Sequence, residues 1–327
     1  DVAELFTAKA WLMGVQGRQI EAAMLGEGAL RLLEGKAELG AELRARMNAS
    51  NAYIASDPAR GLEIASRGVD LAERIGDAEK AAGLAGNEGI CALLLGRWQI
   101  PIDRATMLDR PHLDGFARLG LAGPSLTARA HLGQVEGSPT AELDAIPRGD
   151  LDSAQRESMV GALGALAEYA AGRLEAVEDT AARAGGGTTN PMESALAFCA
   201  AAHVEAWLKR PDRLAVAIER LEAWTGTGQV IRIGLEQARA ALAAMEGRPD
   251  EAERGFRSTL ATWRRLGMLP DVVVAELEML RLLDDHLADR DVLAADAAAT
   301  IGELGSVTLR ARLDELALGE PATEAAR

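Results

Sequence analysis

Residues 234–266, GLEQARAALAAMEGRPDEAERGFRSTLATWRRL, constrain the fold more than any other stretch of the chain. Two runs with apolar residues at helical spacing meet at a short connection, Gly247-Arg248-Pro249-Asp250. Ala240 stands seven residues before Gly247, Ala252 five after it, and Phe256 four beyond that. Small residues let two antiparallel helices cross closely, and a large apolar residue on the second helix plugs the next pair. Neither helix can bury its apolar stripe alone, so the pattern demands neighbours built the same way.

The offsets are those of the roughly 34-residue tetratricopeptide repeat (TPR), and they recur along the chain. Residues 1–13 are predicted as a helix, broken at Gly14-Val15-Gln16-Gly17 and followed by a second over 19–33. A second pair spans 41–75 and is joined at Ser56-Asp57-Pro58, where Asp57 can cap a helix that Pro58 begins. Gly61, Ala65 and Gly68 form a small-residue stripe on it, and Gly76 is a C-terminal stop. The third pair, 78–108, turns at Gly96-Arg97-Trp98, and Pro101 predicts a distorted start to its second helix. Between 110 and 150, prolines and glycines interrupt the apolar runs. Short helices over 113–119 and 126–135 with irregular connections are expected there, as a decayed repeat or a hinge. Pairs resume over 153–184 and 192–224, with a flexible loop at 185–191 between them. The pair at 234–266 follows, then helices over 271–286 and 291–304 and a capping helix at 307–318.

The expected fold is all-α, a right-handed superhelix of antiparallel helix pairs, that is, a TPR-like α-solenoid. Its divisions are N-terminal pairs over 1–109, an irregular segment over 110–150, C-terminal pairs with a capping helix over 151–319, and a frayed tail over 320–327. Composition agrees. The chain is 48% hydrophobic but only 3% aromatic, which suits close-packed helices and not a β-sandwich.

The net charge of −15 repels phosphate backbones and argues against direct nucleic-acid binding. No apolar run is long enough to span a membrane, and no signal-peptide pattern is present, so the expected location is cytoplasmic. Cys91 and Cys199 both lie in apolar helical runs and read as small buried hydrophobes. A chain that begins at Asp1 without Met reads as a fragment or a processed chain.

No residue pattern carries catalytic chemistry, and no cofactor is expected. There is no phosphate-binding loop, and none of His112, His131, His203 and His286 pairs with another at metal-ligand spacing. Cys199 and His203 share a helix face at i, i+4, but a nucleophile and base also need an orienting group and an oxyanion site. The stretch Asp284-Asp285-His286-Leu287-Ala288-Asp289 could hold magnesium in a helical diphosphate-using enzyme, yet it lacks a second acidic motif. The binding surface is more informative. If the first helix of each pair lines the concave face, that face presents Trp11, Arg46, Tyr53, Ile90, Leu93, Tyr169, His203, Trp207, Gln237 and Met245. Aromatic residues in a groove point to an apolar or mixed ligand, a small molecule or a peptide.

GRPDEAERGFRSTLATWRRLGMLPDVVVAELEMLRLL (247–283) and ADRDVLAADAAATIGELGSVTLRARLDELALG (288–319) resemble the final repeats of large bacterial signalling ATPases. These include LuxR-type regulators of the MalT-like group and ATPase-coupled class III adenylate cyclases. The resemblance implies a non-catalytic TPR-like interaction and sensor region. Its partners would be a protein, a peptide or an attached effector domain, with a possible small-molecule ligand and possible homo-oligomers. No Walker motif and no DNA-reading helix-turn-helix accompanies it.

Overall fold

The computed structural model describes residues 2–108, 112–149, 151–185, 191–224 and 228–318. Among these there are seventeen α-helices and no strand. They are α1 (Val2–Val15), α2 (Gln19–Leu33), α3 (Leu39–Ile54), α4 (Pro58–Ile75), α5 (Ala78–Leu94), α6 (Gln99–Leu108), α7 (Gly115–His131), α8 (Pro139–Asp144) and α9 (Ser153–Ala170). The remainder are α10 (Leu174–Ala184), α11 (Pro191–Trp207), α12 (Pro211–Glu222), α13 (Gln229–Met245), α14 (Pro249–Leu266), α15 (Leu269–Leu283), α16 (Arg290–Leu304) and α17 (Val307–Leu318). Most of the expected loop at 185–191 and the expected tail lie outside the described residues.

Local chemistry sets the helix ends. Asp57, Asp77, Asp114 and Asp152 each accept the backbone N–H three residues on, at 2.7–3.1 Å, satisfying a donor that the helix leaves free. In α14, Pro249 opens the first turn beside Asp250 and Glu251, and Arg264 and Arg265 close the last before Gly267 turns left-handed at φ 69°. That order matches both the fixed φ of proline and the helix dipole. Ala252 and Phe256 of α14 are fully buried, and Ala240 of α13 nearly so. Burying Phe256 and Trp263 contributes about 2–3 kcal/mol each.

Consecutive helices pack against each other, and the odd-numbered ones also touch each other in series from α1 to α17. The odd helices therefore form one row, to which the even helices add a second layer. The row returns on itself, for α15 reaches α5 and α17 reaches α7. Hydrogen bonds seal the return. Trp98 Nε1 donates to the Leu304 carbonyl at 2.7 Å, and His131 Nδ1 lies 3.1 Å from Ser306 Oγ. The start of α13 also docks on the turn after α3, where Val230 N–H donates to the Ala55 carbonyl at 2.9 Å. Two glycines permit these approaches. Gly228 has φ 135°, and a Cβ there would stand 2.5 Å from the Ala55 carbonyl oxygen. A Cβ on Gly96, φ 73°, would stand 2.2 Å from Leu304 Cδ2.

The segment 110–150 differs from expectation. In place of two short helices, α7 runs unbroken for 17 residues through Pro124. Pro124 removes one hydrogen bond, but α7 is held between α5 and α9 with Leu119, Leu121, Leu126 and Ala128 buried. Tertiary burial outweighs the local break. Similarly, Pro101 sits in the first turn of α6, where its missing N–H is tolerated, and the helix starts at Gln99.

Candidate functional site

The inner row carries a half-open chamber of about 110 Å³ with a mostly apolar wall. Ile90 and Leu93 of α5, Tyr169 of α9, Cys199 and His203 of α11 and Asp271 of α15 line it. Trp98, His131 of α7 and Leu309 of α17 complete it. The Trp98 and His131 rings stack at 4.4 Å, and the Tyr169 and His203 rings lie tilted at 6.3 Å.

A buried polar chain fixes one side of the wall. His203 Nδ1 lies 2.8 Å from Glu278 Oε1, and Gln237 Nε2 donates to Glu278 Oε2 at 2.8 Å. Trp263 Nε1 in turn donates to Gln237 Oε1 at 2.8 Å. Four helices, α11, α15, α13 and α14, are thereby tied through buried side chains. Behind Tyr169 sits Arg312 of α17, only 6% exposed. Its Nη1 donates to Tyr169 Oη at 2.7 Å, and its guanidinium lies 4.3 Å from the Tyr169 ring and 5.5 Å from that of Trp207. Arg281 also covers Trp207, 4.5 Å from the ring centre. Arg312 Nη2 has no hydrogen-bond partner, so aromatic faces do most of the work of holding this buried cation.

The electrostatics follow from burial and these contacts. Burial opposes charge on His203, but the Glu278 carboxylate bonded to it prevails and raises its pKa above the usual histidine value. Burial pushes the Asp271 carboxyl up to about 6, with His203 pulling the other way. His131 is driven down to about 3 by burial and by the nearby Arg312, so it is neutral. The Cys199 thiol is pushed up to about 12 by burial and by the Asp271 charge. A thiol held protonated, beside a histidine whose Nδ1 is committed to Glu278, is a poor nucleophile.

Of the ten residues expected on the concave face, the structure brings Ile90, Leu93, Tyr169 and His203 together on the chamber wall. Trp207 and Gln237 are buried just behind it, in the cation–π stack and the polar chain. Met245 is half-buried against the main core. Trp11 is 61% exposed and lines a separate hollow near the start of the row. Arg46 pairs with Glu42 at 2.6 Å, and the Tyr53 hydroxyl donates to Glu27 at 3.3 Å, both turned toward the α2–α4 side. The expectation omitted Trp98, His131, Asp271 and Arg312. Their positions depend on the row closing on itself, which leaves no periodic mark. The acidic stretch is taken up locally, for Asp284 pairs with Arg290, and Asp289 with Arg257 at 2.7 Å. Among the described residues no group of three His, Cys, Asp or Glu side chains is placed to hold a metal ion, and no helix is long and apolar enough to cross a membrane. In comparisons with known proteins, no family model and no curated sequence matches the chain.

Proposed function

We propose that this chain is a non-catalytic sensor domain, a TPR-like right-handed superhelix that binds a small, mostly apolar ligand in its central chamber. It would pass the binding event to a protein partner or an attached effector in a bacterial signalling or transcription-regulatory system. One observation carries the reading: the chamber wall is shared by α5 and α7 from the first half and α15 and α17 from the end. A ligand in it touches both sides of the closure, so it favours the closed superhelix over a looser one by its differential affinity. Apolar cavities of about 150 Å³ take up benzene, so a half-open chamber of about 110 Å³ suits a small apolar ligand that keeps part of its surface in solvent. The resemblance to the final repeats of signalling ATPases supports the same reading.

Toluene is a suitable probe. It should raise the melting temperature and slow hydrogen exchange in α15–α17, and Ala200→Phe, which places a ring in the chamber, should abolish both effects. If toluene, indole and cyclohexane all leave the wild-type chain unchanged, the reading is wrong.

A further inference from the structure

The central chamber carries one group that a purely apolar ligand leaves idle. Among the described residues, Asp271 in the first turn of α15 is the one acidic side chain on its wall. The carboxylate forms no ion pair and accepts no hydrogen bond from another described residue, and only its own backbone N–H reaches it. Buried glutamates of the same row are paired instead. Glu88 meets Arg104 at 2.7 Å, Glu168 meets Arg173 at 2.8 Å, Glu276 meets Arg264 at 2.7 Å, and Glu278 meets His203 at 2.8 Å. Taking an unpaired charge out of water is costly, and here it pushes the Asp271 carboxyl up to about 6. A perturbed, unpartnered carboxyl on a cavity wall marks a binding group.

Charge narrows the ligand. Asp271 and Glu278 are the anions at this wall and just behind it, and His203 and Arg312 are the cations, with His203 held charged by Glu278. The four charges balance, and a neutral ligand keeps them balanced. An ammonium would add an uncompensated positive charge among apolar side chains, and a carboxylate a negative one, at a cost in either case. Among neutral ligands, the lone carboxylate favours one with an O–H or N–H, because a hydrogen bond to a charged acceptor is about twice as strong as a neutral one. The wall also offers donors, for His203 Nε2 and the Tyr169 hydroxyl hydrogen make no hydrogen bond among the described residues. A hydroxyl both donates and accepts, so it suits both kinds of group, whereas an ether or ketone brings no donor for Asp271. The rings of Trp98, His131 and Tyr169 on the wall favour an aromatic body.

We propose that the chamber takes a small phenol, whose hydroxyl donates to the Asp271 carboxylate and whose ring lies on the apolar wall. This rests on the chamber being a ligand site, as in the sensor reading, and adds which chemistry that site selects.

The test is titration of the ¹⁵N-labelled full chain at pH 7 with phenol and toluene, which differ by a hydroxyl in place of a methyl, and with benzylamine and benzoate. The Trp98 indole signal reports occupancy, since that ring lines the chamber. Phenol, although less hydrophobic, should bind at least as tightly as toluene and more tightly than benzylamine or benzoate. Asp271→Asn keeps the size and an acceptor oxygen but loses the charge, and should weaken phenol about five- to tenfold. Asp271→Ala removes the acceptor and should weaken phenol by more than about tenfold. Toluene should bind both variants at least as well as wild type, which separates a lost hydrogen bond from a damaged fold. Unchanged phenol affinity in both variants, a loss shared equally by toluene, or tighter binding of benzylamine or benzoate than of phenol would overturn the phenol assignment while toluene binding leaves the sensor reading standing. No binding of either phenol or toluene would overturn both.

Discussion

Replacing Gln237 with Met keeps the length and approximate volume of the side chain and deletes two buried hydrogen bonds. It strands the Trp263 indole N–H and Glu278 Oε2 among side chains that are 1–2% exposed. Each stranded group costs about 1–3 kcal/mol, with a carboxylate at the upper end, so the expected destabilisation is about 3–5 kcal/mol. A ligand-contacting residue on an open concave surface would change stability by less than about 0.5 kcal/mol. Denaturant unfolding followed by circular dichroism distinguishes the two, provided the slope of the transition is unchanged. Trp263→Phe removes one of the same bonds, so the double variant should be less destabilised than the sum of the single ones by about 1 kcal/mol or more. A loss below about 1 kcal/mol with simple additivity would refute the polar chain as a structural tie.

Gly228→Ala places a Cβ at φ 135° against the Ala55 carbonyl, so it should cost about 3 kcal/mol and speed exchange of the Val230 amide; unchanged protection there would mean that α13 does not dock on the turn after α3. His131 is neutral when folded, with its pKa lowered from 6.5 to about 3, so the unfolded chain takes up the extra proton as pH falls. Stability should drop through this residue by about 4 kcal/mol between pH 7 and pH 3.5, and His131→Gln should flatten that part of the acid limb in pH-dependent unfolding. Asp271 has the opposite sign. Its carboxyl, raised from 3.8 to about 6, holds its proton more tightly when folded, so stability falls as pH rises from 4 through 6. Asp271→Asn should therefore gain about 1–3 kcal/mol relative to wild type between pH 4 and pH 8, and a constant difference across that range would show that the group is well solvated.

The helices and their turns were legible in the sequence because the forces that end a helix are local. Asp57 and Pro58, Gly76, and Gly247 through Asp250 mark boundaries that the structure reproduces within a few residues. Small residues seven before and five after a turn glycine, with a large one four further on, as in Ala240, Gly247, Ala252 and Phe256, showed which helices pair. Pro124 misled because its penalty is local while its compensation, the burial of α7 between α5 and α9, is not. The candidate site divides along the same line. Ile90, Leu93, Tyr169 and His203 were expected on the inward face from register alone, since positions on the first helix of each pair repeat with the helix period, and the structure places them on the chamber wall. Gln237 and Trp207 share that register yet are sealed by Trp263, Arg281 and Arg312. Trp98 meets Leu304 across 206 residues of chain, and Arg312 meets Tyr169 across 143. Periodicity therefore determined the elements, their pairing and the face they turn inward. Only the tertiary structure decided that the row closes, where the chamber lies and which charges are shut inside it, because closure depends on the summed curvature of many helix crossings and no local pattern encodes that sum.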